Sequence, residues 1–185
     1  MLIAIIATIT RAVWAIGEFV RLRREPKQRT NYDRHSSQLW DAAIVLEVLG
    51  MALGFLGIGG MNGVKSFISV FGLVVMLIGI AIRWSAIYTL GKYFTGKVSI
   101  QPDHQIVRRG LYKYVRHPAY AGSLLAHAGL GLSFSNWLTL GFSIIPFLVA
   151  VWYRMRVEDA ALREAFGAAY ADYARSAKRL IPGVY

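Results

Sequence analysis

The stretch PAYAGSLLAHAGLGLSFSNWLTLGFSIIPFLVAVWY, running from Pro118 to Tyr153, contains no Asp, Glu, Lys or Arg. One helical crossing of hydrocarbon takes about 20 residues, so this run is far too long for one span. Asn136 is the single turn signal inside it. It reads as a tight helical hairpin, Pro118–Ser135 followed by Trp137–Tyr153. Working outward, three further apolar runs appear: Leu2–Val20, Leu39–Met61 and Ser66–Leu90, with Arg11 and Glu18 interrupting the first. No basic stretch precedes that first run and no small-residue cleavage site ends it, so it reads as a span rather than a signal peptide. The sequence predicts an all-α membrane protein of five transmembrane helices, one membrane domain over residues 1–185.

Composition excludes the other classes. Apolar residues make up 56% of the 185-residue chain and charged residues 17%, with a mean hydropathy of +0.44. That is too apolar for a soluble domain of this size. Abundant aromatic and branched residues exclude disorder. The absence of cysteine excludes disulfides, thiolate metal sites and a Cys nucleophile. The 21 Lys and Arg against 10 Asp and Glu could signal nucleic acid, but clustered charge on an apolar chain fits the positive-inside rule better.

The connections carry that charge unevenly. Arg21, Arg23, Arg24, Lys27, Arg29 and Arg34 lie between the first two spans, and Lys65 alone marks the next connection. Gly91–His117 holds Lys92, Lys97, Arg108, Arg109, Lys113 and Arg116, the Asn136 turn holds none, and the tail from Arg154 to Tyr185 holds Arg154, Arg156, Arg163, Arg175, Lys178 and Arg179. This alternation predicts an outside N-terminus and a cytoplasmic C-terminus. Beyond the last span, apolar residues recur at helical spacing from Val157 to Ala174, with Glu158, Asp159, Arg163, Glu164 and Asp172 mostly on the other side and Gly167 interrupting. An amphipathic helix there could lie on the bilayer or cover a site. Strand character is confined to Lys97–Ile100, too little for a sheet.

Two clusters at the predicted cytoplasmic boundary could carry chemistry. The first is Arg116-His117-Pro118-Ala119-Tyr120-Ala121-Gly122. Pro118 suits the first turn of a helix, whose free N–H groups beside Arg116 and His117 make a natural site for an anion. The same pattern also suits a basic loop leading into an ordinary helix. The second is Arg154-Met155-Arg156-Val157-Glu158-Asp159. Arg154 and Glu158 share a helix face, but basic-first order is the less favourable pairing, so each is expected to face something else.

Together these residues resemble the isoprenylcysteine carboxyl methyltransferase family. The similarity rests on Arg116-His117-Pro118-x-Tyr120-x-Gly122, then an acidic pair followed by Leu162, Phe166-Gly167, Tyr170, Tyr173, Arg179 and Pro182, with Arg83, Leu90-Gly91, Phe94 and His104-x-x-Val107 upstream. The resemblance implies S-adenosylmethionine as cofactor, held by His104, Gln105, Ile106, Val107, Tyr112, His117, Pro118, Ala119, Tyr120 and Glu158, with Arg154 meeting the substrate and Arg154 and Glu158 catalytic. It implies a cofactor site formed by the cytoplasmic loop 91–117 and the C-terminal helix, a lipid or prenyl-type acceptor, and no metal or nucleic acid. Asp159 departs from the family's usual Glu. Two other activities stay open at this point, as does a non-catalytic membrane protein that retains the architecture. A phospholipid amine N-methyltransferase would need a general base, which Glu158 or Asp159 could supply. A sterol-type reductase using NADPH shares a similar stretch, but typically has Asn and Glu where this chain has Ala119 and Ser123.

Ionisable groups inside spans are functional candidates by default. Glu47 and Arg83 are expected to tie to each other, and His127 to be a packing histidine. Gly50-x-x-x-Gly54 and Gly57–Gly60 suggest close helix packing. Trp14, Trp40, Trp84, Trp137 and Trp152 fall mostly toward span ends, as interfacial anchors do.

Overall fold

The computed structural model describes residues 1–23, 30–61 and 65–183. Arg24, Lys27 and Arg29 of the first basic connection, Asn62 of the second, and Val184 and Tyr185 of the tail lie outside the described residues. Six helices dominate: α1 (Leu2–Leu22), α2 (Ser36–Phe55), α3 (Lys65–Leu90), α4 (Pro118–Ser133), α5 (Trp137–Phe166) and α6 (Ala168–Ser176). Two-residue strands, β1 (Thr30–Asn31) and β2 (Ser99–Ile100), pair antiparallel with Thr30 opposite Ile100. The strand character near Lys97–Ile100 thus finds a partner in the loop before α2.

Among the described residues, four helices are long and apolar enough to cross a membrane: α1, α2, α3 and α5. The predicted fifth span, α4, has 16 residues. At 1.5 Å per residue it rises about 24 Å, less than the roughly 30 Å of hydrocarbon. Most of its residues are buried, because it packs between α3 and α5.

The α3–α4 contact is backbone on backbone. Gly72 and Gly79 of α3 face Gly129 and Gly122 of α4, and a Cβ at Gly129 would lie 2.2 Å from Met76 N, one at Gly79 2.3 Å from Ala126 N. Small residues permit this approach where lipid offers no hydrophobic drive between helices. Gly50 and Gly54 do the same for α2 on α5, where added Cβ atoms would meet Phe142 Cβ at 2.5 Å and Thr139 Oγ1 at 2.4 Å. The hairpin turn follows its sequence signal: Asn136 caps α5 by accepting from Thr139 N at 3.0 Å, and its amide donates to Ile58 O at 2.8 Å.

Element ends differ from the sequence reading for local reasons. α2 begins at Ser36 rather than Leu39, because the Asp33 carboxylate accepts from Ser37 N and from the hydroxyls of Ser36 and Ser37 at 2.7–3.0 Å. It stops at Phe55 rather than Met61, since Gly57 and Gly59 turn the chain at φ +75° and +85°. The last span and the helix beyond it are one continuous α5 through Phe166. Gly167, at φ +49°, then breaks the chain into α6.

The expected Glu47–Arg83 tie is corrected. Glu47 accepts from Arg11 Nε at 2.9 Å and bonds His127 Nδ1. Arg83 donates from Nε to Glu18 at 2.6 Å and from Nη1 to Ser123 Oγ at 2.8 Å. Arg11 and Glu18, which looked like blemishes in the first span, are the true counter-charges; such pairing depends on which helices adjoin, which spacing along one helix does not carry. His127 also stacks on Phe147, as a packing histidine should. Trp14 is no interfacial anchor: it is buried against His127. Glu47→Leu should cost about 3–5 kcal/mol, because it leaves Arg11 and His127 enclosed without their carboxylate. Thermal unfolding in detergent measures this, and a wild-type midpoint would mean the cluster contributes nothing to stability.

Candidate active site

Three segments converge at one end of the bundle: the loop between α3 and α4, the first turn of α4, and the far half of α5 with α6. The chain after α6 straps this assembly shut. Arg116 N donates to Lys178 O at 2.7 Å, His117 N to Arg179 O at 3.0 Å and Lys178 N to Tyr114 O at 3.1 Å. The Tyr173 hydroxyl donates to Tyr112 O at 2.7 Å, and Arg108 to Ala169 O at 2.8 Å.

Beneath the strap lies a cavity. His104, Gln105, Ile106, Val107, Tyr112, His117, Ala119, Tyr120, Arg154 and Glu158 all line it. Pro118 does not; it opens α4 and sets the directions of its neighbours. His104 stacks on Tyr93 with ring centroids 4.7 Å apart. Burial pushes its pKa below the ordinary histidine value despite Glu158 and Asp103 nearby, so it is neutral at pH 7. Burial, with help from Glu158, pushes the Tyr112 phenol well up.

Arg154 and Glu158 do not pair directly. The Tyr120 hydroxyl stands between them, accepting from Arg154 Nε at 2.9 Å and donating to Glu158 Oε2 at 2.6 Å. Arg154 also donates to Gly96 O and Ser36 Oγ, with Asp33 Oδ1 3.5 Å away. Asp159 was expected on the solvated side, but it is buried. Its carboxylate accepts from His117 Nε2 at 2.9 Å, from the Tyr170 hydroxyl and from Arg179 Nε at 3.0 Å. Adjacent helical residues differ by about 100° in direction, so one of two neighbouring acids can face the cavity while the other locks the tail.

A second, larger cavity opens between α1 and α2, walled by Trp14, Trp40, Ile44 and Met51 together with Arg11 and Glu47. The two cavities share Phe94, Thr95, Lys97, Tyr120 and Arg154. They therefore meet at the Arg154–Tyr120 hydrogen bond.

Several wall residues escaped the sequence reading as ligand contacts: Tyr93, Phe94, Thr95, Tyr170 and Tyr173. Tyr170 and Tyr173 stood at helical spacing on the apolar face and could have been found that way. The 93–95 segment had no such periodicity. The cavity suits a polar ligand, because His104 Nδ1, His117 Nδ1 and Arg116 Nε and Nη1 are buried with no hydrogen-bond partner among the described residues. Orphans of this kind are rare in folded proteins.

These features define a multi-pass membrane protein with a polar, aromatic-walled cavity at the helix ends that shares wall residues with an opening between two apolar helices. Residues 71–164 match the isoprenylcysteine carboxyl methyltransferase (ICMT) family, about half the chain, and the chain belongs to that family. It is 34% identical over 124 residues to protein-S-isoprenylcysteine O-methyltransferase A of Arabidopsis thaliana, covering 64% of this chain and 61% of that protein. With the corresponding protein of Saccharomyces cerevisiae it shares 32% identity over 111 residues, 57% of this chain and 45% of that one. The solved structure of a eukaryotic intramembrane Ras methyltransferase ICMT superposes with a TM-score of 0.63 at 26% identity, covering 82% of this chain and 54% of that one. The chain thus spans about three fifths of the length of the Arabidopsis relative it matches.

Proposed function

We propose that this protein transfers a methyl group from S-adenosylmethionine to the carboxylate of a lipid-tailed acceptor of the isoprenylcysteine type. The observation that carries this reading is the junction of the two cavities at Arg154 and Tyr120. The donor belongs in the cavity under the strap, against His104–Val107, Tyr112, His117, Ala119, Tyr120 and Glu158. The acceptor's tail belongs between α1 and α2, with its carboxylate at Arg154. When bound, the donor supplies a methyl already activated on a positive sulfur, which leaves as a neutral thioether.

The chain's own residues then have limited work. A carboxylate is ionised at neutral pH and needs no base; it needs a cation to hold it. Arg154 is always charged and can grip two oxygens. Tyr120 fixes the guanidinium relative to Glu158, and the strap excludes water, so reactants are held in line rather than chemically activated. An amine acceptor fits less well, because the group at the junction is an arginine. For the topology, we infer that α4 completes a five-helix bundle with the N-terminus outside. Strap, loop and tail are then cytoplasmic, where a soluble donor can reach them.

Calorimetric titration of the detergent-solubilised chain separates the readings. S-adenosylmethionine should bind and NADPH should not. With labelled donor, N-acetyl-S-farnesylcysteine should gain one methyl ester, and phosphatidylethanolamine none. Binding of NADPH alone, or methylation of the amine alone, would overturn the proposal.

A further inference from the structure

Arg116 has a property that no other cation in the donor cavity shares. Its backbone N–H is pinned by Lys178 O, its side chain is 10% exposed, and it lines the cavity wall. Yet its Nε and Nη1 are buried and donate to nothing among the described residues. The nearest carboxylate forms an ion pair with Nη1 but makes no hydrogen bond to it. Asp159 Oδ2 is 3.7 Å from Nη1, and Asp159 already accepts from His117, Tyr170 and Arg179. The other cations differ: Arg154 is engaged by Tyr120, Gly96 and Ser36, while Lys97 is exposed.

A buried guanidinium with unmade bonds suits a bidentate anion. Arg116 precedes the first turn of α4, whose positive dipole end adds to the attraction. The anion must also tolerate Glu158, which lines the same cavity and lies 3.8 Å from His117 Nδ1, one residue along from Arg116. A simple anion would be repelled there. A zwitterion, with an ammonium for Glu158 and a carboxylate for Arg116, satisfies both.

We infer that Arg116 is the anchor for the α-carboxylate at the amino-acid end of the donor, with Glu158 receiving the neighbouring ammonium. This rests on the donor reading above and assigns one more residue to it. His117, between the two, sets their separation through its bond to Asp159.

The test compares S-adenosylmethionine with its decarboxylated analogue, which keeps the sulfonium, the adenosine and the amine but lacks the anion. Both are titrated by calorimetry into the full chain in detergent. The wild type should prefer the carboxylated ligand about 30-fold, as a charge-assisted hydrogen bond would give. In Arg116→Met that preference should fall to within about threefold, while affinity for the decarboxylated ligand stays unchanged and reports a folded cavity. Arg116→Lys, which keeps a charge without the planar fork, should retain part of the preference. A full preference in Arg116→Met, or none in the wild type, overturns the assignment and leaves the donor reading intact. Failure of the wild type to bind either ligand overturns both. If Arg116→Met binds neither, Arg116→Lys decides, and a fully retained preference there counts against the arginine fork.

Discussion

Arg154→Ala is expected to lower methyl transfer at least 100-fold while leaving S-adenosylmethionine affinity within about threefold of wild type. The two readouts separate because Arg154 belongs to both cavities but is only one wall residue of the donor's. The loss should be this large because the guanidinium is preorganised: Tyr120, Ser36 and Gly96 already fix its plane. An acceptor carboxylate would then meet a cation that needs no reorganisation at the moment of reaction. Arg154→Lys keeps the charge but cannot make the same planar set of bonds, so it should recover only part of the activity. Donor titration of each variant shows that the strap still closes. Wild-type turnover in Arg154→Ala would remove the residue from the reaction.

The second large effect concerns folding. Gly129→Leu should prevent recovery of a monodisperse protein, and Gly129→Ala should lower stability by about 3 kcal/mol or more. Overpacking a core normally costs about 1–3 kcal/mol, and here the obstacle is backbone that cannot rotate aside: Met76 N lies 2.2 Å from where the Cβ would go. Gly141→Ala is the matched control. It lies within α5 with nothing inside 4 Å of its added Cβ, so it should gain up to about 1 kcal/mol from helix propensity. Size-exclusion profiles and unfolding midpoints in one detergent measure all three. A Gly129→Ala protein as stable as Gly141→Ala would show that α3 and α4 can separate without cost.

What the sequence revealed was whatever depends on near neighbours along the chain. Pro118 marked a helix start and Asn136 a turn, and both hold, because capping is decided within a few residues. Arg154 and Glu158 were visible from their spacing and their position where a span ends. Their mediator was not, because Tyr120 comes from another helix. The partners of Glu47 and Arg83 were mistaken for the same reason: Arg11 and Glu18 reach them from α1, and helix adjacency is a tertiary fact. Gly50-x-x-x-Gly54 was readable as a close-packing pattern and packs α2 on α5, whereas the glycines that join α3 to α4 were not singled out, because their partners lie on another helix. Asp159 was misjudged because amphipathic periodicity averages over a face, whereas one buried acid needs only one set of donors. Arg116 was noticed as an anion site, but no pattern could tell that its nitrogens would be left without partners.

The Tyr120 hydroxyl bonds Glu158 with its proton and Arg154 with its lone pair. On the proposed reading, a donor that engages Glu158 would change how firmly the phenol is held, and so what Arg154 presents to the acceptor. Linkage makes that influence symmetric: if occupancy of one compartment alters affinity in the other by some factor, the reverse effect has the same factor. On the proposed reading, one phenolic oxygen would thus couple a water-borne reactant to a membrane-borne one with equal strength in both directions.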